Sequence, residues 1–145
     1  MSEKSLTVPG TLDSLKAIAA YVMKAAAEAG LDKKVTYRLR LAVDEIATNI
    51  ITHGYDEAGL EGEIVVQADF DDETLTIYLE DTGAVYNPQL NEAPGDLDLP
   101  LEERQIGGLG LYLTARNVDK FFYKRIGNQN RHTFVVNRPS AQAGE

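Results

Sequence analysis

Three short groups of residues carry side chains or bare backbone suited to chemistry. The first is Glu45 and Asn49, four apart in a segment of helical periodicity, so both fall on one stripe. A carboxylate there can take a proton from a hydroxyl or a water. The amide oxygen of Asn49 suits a hard cation such as Mg²⁺. The second group, Asp81-Thr82-Gly83, follows an alternating strand segment. An Asp at a strand end can accept hydrogen bonds from an exocyclic amine, and a Gly two residues on lets backbone approach a flat ring. The third, Gly107-Gly108-Leu109-Gly110, opens a helix. Exposed N–H groups and the partial charge of a helix N-terminus suit phosphates. Singly, each group also has a plain structural reading: a solvated helix face, a strand-ending turn and a hinge. The glycines follow no strand directly and precede no lysine, so they are neither a Rossmann fingerprint nor a Walker loop. In chain order, a cation-binding amide, an amine acceptor, a proline-bearing lid and a phosphate cradle are the separate parts of ATP recognition.

The elements that must position these groups follow from periodicity. Residues 5–8 read as a short strand stopping at Pro9-Gly10. Thr11 or Asp13 caps a helix running to about Ala29, with Gly30 as its stop. Leu12, Leu15, Ile18, Ala19, Val22 and Met23 recur along it at helical spacing. A second helix starts at Asp32, runs to about His53 and ends at Gly54. Its core stripe is Leu39, Val43, Ile46 and Ile50, and Arg38 and Thr52 share the polar stripe of Glu45 and Asn49. Residues 63–70 and 74–80 alternate as a hairpin about 71–73. Residues 84–106 hold three of the five prolines and little periodicity, the mark of a functional lid or a disordered loop. A short helix follows the glycines to about Asn117. Residues 121–126 and 132–137 read as closing strands joined through Gly127-Asn128-Gln129-Asn130. This order predicts an α+β sandwich with helices on one face of a largely antiparallel sheet.

The chain has 145 residues, which suits one domain, here residues 1–139 with a disordered polar tail over 140–145. There are no cysteines, which excludes a disulfide framework, thiolate-bound metals and a thiol nucleophile. Lys+Arg 14 against Asp+Glu 23 gives a net charge of −9. A field of that sign argues against nucleic acid and anionic membranes as partners. A bound nucleotide stays possible, because local N–H donors and a metal override net charge. No run approaches ~18 apolar residues, and the N-terminus has no signal-peptide character, so a cytoplasmic protein is expected. Between Gly54 and Glu103 there is no Lys or Arg among many acids. That stretch reads either as solvated strand faces or as an acidic docking surface for a basic partner.

Residues 41–55 (LAVDEIATNIITHGY) resemble the N box of the GHKL (Bergerat-fold) ATPases. Residues 81–88 (DTGAVYNP) are similar to their first glycine box and residues 107–113 (GGLGLYL) to their second. Within that superfamily the chain most resembles the bacterial anti-sigma-factor serine/threonine-protein kinases. The resemblance implies a histidine-kinase-like ATPase fold, a two-layer α/β sandwich with a mostly antiparallel mixed sheet. It implies ATP and Mg²⁺ as cofactors. Glu45 would be the general base and Asn49 the Mg²⁺ ligand. Asp81 would bind the adenine amino group, with Gly83 beneath the base. Gly107, Gly108, Leu109 and Gly110 would hold phosphates, and Thr133 would lie near the adenine. Two positions depart from the pattern: Val85 stands where the wider superfamily often has a second glycine, and His132 where a glycine usually precedes the threonine. The implied partners are a sigma factor, a small (STAS-type) anti-sigma-factor antagonist phosphorylated on serine, and a second copy in a homodimer. The alternative is an ATP-binding regulatory module of the same fold that transfers no phosphate.

Overall fold

The alternating segments of the chain become one five-stranded sheet, and the two periodic segments become helices packed on one of its faces. The computed structural model describes residues 5–84 and 117–139. The lid beyond Ala84, the turn at Gly107, Gly108, Leu109 and Gly110, and the tail at 140–145 lie outside the described residues. The elements in chain order are β1 (Leu6–Pro9), α1 (Leu15–Glu28), α2 (Lys33–Asn49), β2 (Glu63–Phe70), β3 (Thr74–Asp81), β4 (Lys120–Ile126) and β5 (Gln129–Asn137). The strands lie in the order β1-β2-β3-β5-β4. All four pairings are antiparallel, so the sheet of the described residues is not mixed. Among them no helix is long and apolar enough to cross a membrane.

Local chemistry explains the helix ends. Neither Thr11 nor Asp13 caps α1, because a short 3₁₀ turn, Leu12–Ser14, intervenes. Ser14 takes the cap position, and its hydroxyl donates to the Pro9 carbonyl at 2.7 Å. Gly30 stops α1 as expected. At φ +80 it donates to Ala27 O, and Leu31 N donates to Ala26 O, the two bonds of a Schellman ending. Asp32 caps α2 by accepting from Val35 N at 2.8 Å. Leu39, Val43, Ile46 and Ile50 are buried as the periodicity requires. They meet Ile18 and Val22 of α1 and the inward rows of the sheet: Ile64 and Val66, Leu75, Ile77 and Leu79, Phe134 and Val136. Each such side chain contributes about 1.5–3 kcal/mol. Leu12 and Met23 depart from expectation, at 60% and 45% exposed. Leu12 precedes the helix proper, and Met23 is one residue past the core stripe at Val22.

Beyond Asn49 the second helix does not stop at Gly54. It widens into a π-helical segment, Ile50–Asp56. The buried Tyr55 anchors that segment. Its hydroxyl donates to Glu63 O at 2.6 Å and accepts from Thr82 N at 3.0 Å, bridging the start of β2 and the end of β3. The ring fits because Gly10 and Gly62 flank it: a Cβ on either would come within 2.4 Å or 2.8 Å of the ring.

A buried histidine in this core is only partly satisfied. His132, 3% exposed, lies among Phe121, Tyr123 and its own strand, and its Nδ1 has no hydrogen-bond partner among the described residues. Burial pushes its pKa from 6.5 down to about 4, opposed by a hydrogen bond with the Leu79 backbone.

Two outcomes follow for stability. Tyr55→Phe leaves Thr82 N without its acceptor, and urea denaturation should show a loss of about 1–3 kcal/mol; an unchanged midpoint would remove Tyr55 as the anchor. For His132, the unfolded chain takes up a proton below pH 6.5 while the folded chain does not until about 4. Stability should therefore fall as pH drops through that window, by about 3 kcal/mol at its lower end. His132→Leu should flatten that slope in parallel denaturations, and an equal slope in both proteins would contradict the assignment.

Candidate functional site

The end of β3 meets the π-helical turn in a backbone-to-backbone contact. The Gly54 carbonyl, in the last turn of the helical segment and so without an intrahelical partner, accepts from Ala84 N at 2.8 Å. A Cβ on Gly83 would lie 2.7 Å from that carbonyl oxygen and 3.1 Å from Asp81 Oδ1. Glycine is thus required at 83 by this junction, before any ligand arrives. Gly54 is under no such constraint, since a Cβ there would meet only ordinary contacts at 3.8 Å. Its value as a helix stop was the sequence signal, and the tertiary contact overrides it.

Asp81 ends β3 on the helix-covered face and is 4% exposed. Its Oδ1 accepts from Gly83 N at 2.8 Å and from Asn130 Nδ2 at 2.9 Å. Its Oδ2 is buried and has no partner among the described residues. Burial raises the Asp81 pKa above the usual carboxylate range, while Asn130, Gly83 N and the Arg125 charge pull it back. An ionised carboxylate only accepts hydrogen bonds. An acceptor left bare in a buried position is therefore complementary to a donor, such as an exocyclic amine.

Asn130, 2% exposed, is the centre of the polar network and escaped the sequence reading. Besides holding Asp81, its amide donates to Gly83 O at 3.1 Å. Its carbonyl accepts from Tyr123 OH at 2.5 Å and from Arg125 Nη1 at 3.0 Å. Arg125 Nη1 also donates to Gly83 O at 3.2 Å. The missed signal was the hairpin. Gly127, at φ +60, and Asn128 form a two-residue turn that pairs Ile126 with Gln129. A Gly-Asn turn of that length puts Asn130 inside a strand instead of a loop. The register then sets it opposite Asp81.

Strand alternation separates Thr133 from this site. Thr133 pairs with Tyr78 and Asp81 with Asn130. Tyr78 and Asp81 are three residues apart, so their side chains leave opposite faces of the sheet. His132, not Thr133, shares the face of Asp81. Glu45 and Asn49 lie half-buried on α2, beside the core stripe. Neither has a hydrogen-bond or ion-pair partner among the described residues. Asn49 precedes Gly54 by five residues, roughly 7 Å of helical rise, so the helix that carries both residues runs directly into the Asp81 junction. The residues expected to hold phosphates, Gly107, Gly108, Leu109 and Gly110, lie outside the described residues. Among the described residues no group of three or more His, Cys, Asp or Glu side chains could hold a metal. A separate cavity of about 720 Å³ lies between the turn after β1, the π-helical segment and the start of β2. None of Glu45, Asn49, Asp81 or Gly83 lines it.

Comparison with known proteins bears on the fold and the family. The chain is 33% identical over 84 residues to a protein named serine-protein kinase RsbW from Bacillus mycoides (strain KBAB4), covering 56% of this chain and 51% of that one. It is 29% identical over 103 residues to the protein of the same name from Listeria monocytogenes serovar 1/2a, covering 68% and 65%. The chain spans about half the length of the Bacillus relatives it matches. The RsbU and RsbW domains of Rv1364c from Mycobacterium tuberculosis superpose on 95% of the chain and 34% of their own, with TM-score 0.63 and 19% identity. The histidine kinase domain of a blue-light activated kinase from Erythrobacter litoralis EL346 covers 90% and 61%, with TM-score 0.51 and 18% identity. At those identities the two structures establish the fold. Residues 8–136 match the histidine kinase-like ATPase domain family, and the chain belongs to that family.

Proposed function

We propose that this chain binds Mg-ATP and transfers the γ-phosphoryl group to a serine of a small protein partner, as the anti-sigma kinase of a partner-switching pair. The observation that carries the nucleotide reading is the buried Asp81 carboxylate, with Oδ1 doubly held and Oδ2 bare. That arrangement fits the adenine amino group. Gly83, pressed on Gly54, would give the base a floor without a side chain. The names of the curated relatives support serine as the acceptor. A sigma factor, an anti-sigma-factor antagonist and a second copy of the chain are the partners this reading implies.

The donor set fits Mg²⁺ of a particular kind. Mg²⁺ bound with a nucleotide commonly takes one or two protein oxygens and completes its shell with phosphates and waters. Asn49, half-buried on α2 with its side-chain amide unengaged among the described residues, would supply the protein oxygen. Bound Mg-ATP would supply the phosphoryl group and neutralise its charge. The residues' work is then positioning. Glu45, one turn before Asn49, would align the incoming serine hydroxyl and accept its proton. Gly107, Gly108, Leu109 and Gly110 would hold the phosphates through backbone N–H groups.

Transfer from γ-labelled ATP to a purified antagonist tests the chemistry. Glu45→Ala should lower the transfer rate by about 10²–10⁴-fold while ATP affinity stays within roughly threefold. Joint loss of binding and transfer would remove Glu45 as the base, and no transfer by wild type that binds ATP would favour a nucleotide-regulated binding module. Asp81→Asn tests the adenine subsite. The amide keeps an acceptor for Gly83 N and Asn130 but gives the bare position a fixed polarity, so ATP affinity should fall at least about tenfold. The fold should not suffer at pH 7. Burial raises the Asp81 pKa, so holding it ionised in the folded chain costs stability that the neutral amide relieves. Equal or greater denaturation resistance beside weakened ATP binding is the expected pair of results.

A further inference from the structure

The bond between Asn130 and Asp81 determines which atom of Asp81 a ligand meets. A carboxylate has two equivalent oxygens and about four acceptor positions. Left to itself, a buried carboxylate could turn either oxygen outward, or hold a proton and present a donor. Here Oδ1 is fixed from two directions, by Gly83 N along the chain and by Asn130 Nδ2 across the sheet. Asn130 is in turn fixed. Its carbonyl takes Tyr123 OH and Arg125 Nη1, which forces its NH₂ group toward Asp81 and Gly83 O. The opposite rotamer of the amide is disfavoured, because it would set the NH₂ group against the Arg125 donor and the oxygen against the Asp81 carboxylate and the Gly83 carbonyl.

We propose that Asn130 is the specificity-determining positioning residue of the base subsite, committing Asp81 Oδ2 to act as a lone acceptor and so selecting a 6-amino over a 6-oxo purine. This rests on the adenine reading of Asp81 proposed above. Selection works through the pair of donors on Oδ1. They favour the charged form of the carboxylate. A charged Oδ2 accepts from an amino group and repels a carbonyl oxygen. Among the described residues, the groups that face Asp81 are Asn130 and His132 from β5, Tyr123 and Arg125 from β4, and Gly83 from its own chain. His132 is neutral at pH 7, so Arg125 is the one charge among them. It acts through Asn130 and the Gly83 carbonyl.

The test measures dissociation constants of the full chain for ATP and for inosine triphosphate, which replaces the 6-amino group by a 6-oxo group. Wild type should prefer ATP roughly 10- to 100-fold. Asn130→Ala removes the clamp, and Asn130→Asp keeps its shape but sets a second carboxylate against Asp81, so the pair shares a proton and can donate. In both variants the ATP preference should fall at least about fivefold, with inosine triphosphate gaining relative to ATP most in Asn130→Asp. A role confined to folding would weaken both nucleotides equally and leave the ratio unchanged, which would overturn the proposal. Loss of the folded state in both variants would overturn it as well. Asp81→Asn separates the two levels of inference. If it leaves ATP affinity and preference intact, the adenine reading fails. If it abolishes the preference while both Asn130 variants retain it, the Asn130 inference alone fails.

Discussion

The hydrogen bond from Asn130 to Asp81 is the contact on which the form of the site depends. A buried carboxylate is costly unless donors compensate its charge. Asp81 keeps one oxygen compensated because two strands distant in sequence, β3 and β5, pair in a register that sets residue 130 opposite residue 81. That register is enforced by the whole sheet, since slipping one residue would turn every inward side chain of β5 outward. The apolar rows at Leu75, Ile77, Leu79, Phe134 and Val136 thereby hold a polar contact at the end of the same strands. The core positions the site through register, and the hairpin turn at Gly127-Asn128 transmits the same register to Tyr123 and Arg125 on β4.

The second support is the π-helical segment. Wider helical turns recur at functional sites. Here the segment ends with the Gly54 carbonyl free of the helix, and that group docks the backbone beyond Asp81. Tyr55, one residue on, ties the start of β2 and Thr82 to the same segment. Helix α2, with Glu45 and Asn49, is therefore joined to the Asp81 strand end by direct hydrogen bonds within a few residues of both. In the proposed function the general base and the base-recognition carboxylate sit on separate elements, and such a joint keeps their separation fixed.

Most of the architecture was legible in the sequence, because binary patterns and caps are local. The strands followed from alternation, α2 from its apolar stripe and Asp32, and the end of α1 from Gly30. What escaped depended on contacts between distant segments. The helix past Asn49 looked as if it should stop at Gly54, yet a hydrogen bond to Ala84 and the Tyr55 anchor carry it on. Asn130 looked like a loop residue, since a short Gly-Asn turn is hard to tell from a longer polar loop without the pairing. The assignment of Thr133 came from the family pattern. Parity counted from the Asp81–Asn130 pair places His132 on that face instead, the same position where the chain departs from the family pattern. Glu45, Asn49, Asp81 and Gly83 were legible as site candidates by residue type and spacing, though the spacing could not reveal that Gly83 is required by Gly54.

Two buried polar atoms on one sheet face lack partners among the described residues, Asp81 Oδ2 and His132 Nδ1. Native structures leave few such atoms, and each costs on the order of 1–3 kcal/mol. The two differ in kind. His132 lowers its cost by staying neutral, as its depressed pKa records. Asp81 is pulled both ways: burial, the larger influence, raises its pKa, while the donors on Oδ1 oppose that protonation. The unmet demand therefore remains as an acceptor of defined position in the free protein. A ligand with a donor there removes a cost the fold already carries, whereas one without it leaves that cost in place. Under the proposed reading, discrimination between ligands is stored in the folded chain before binding, in the network of Asn130, Arg125 and Tyr123.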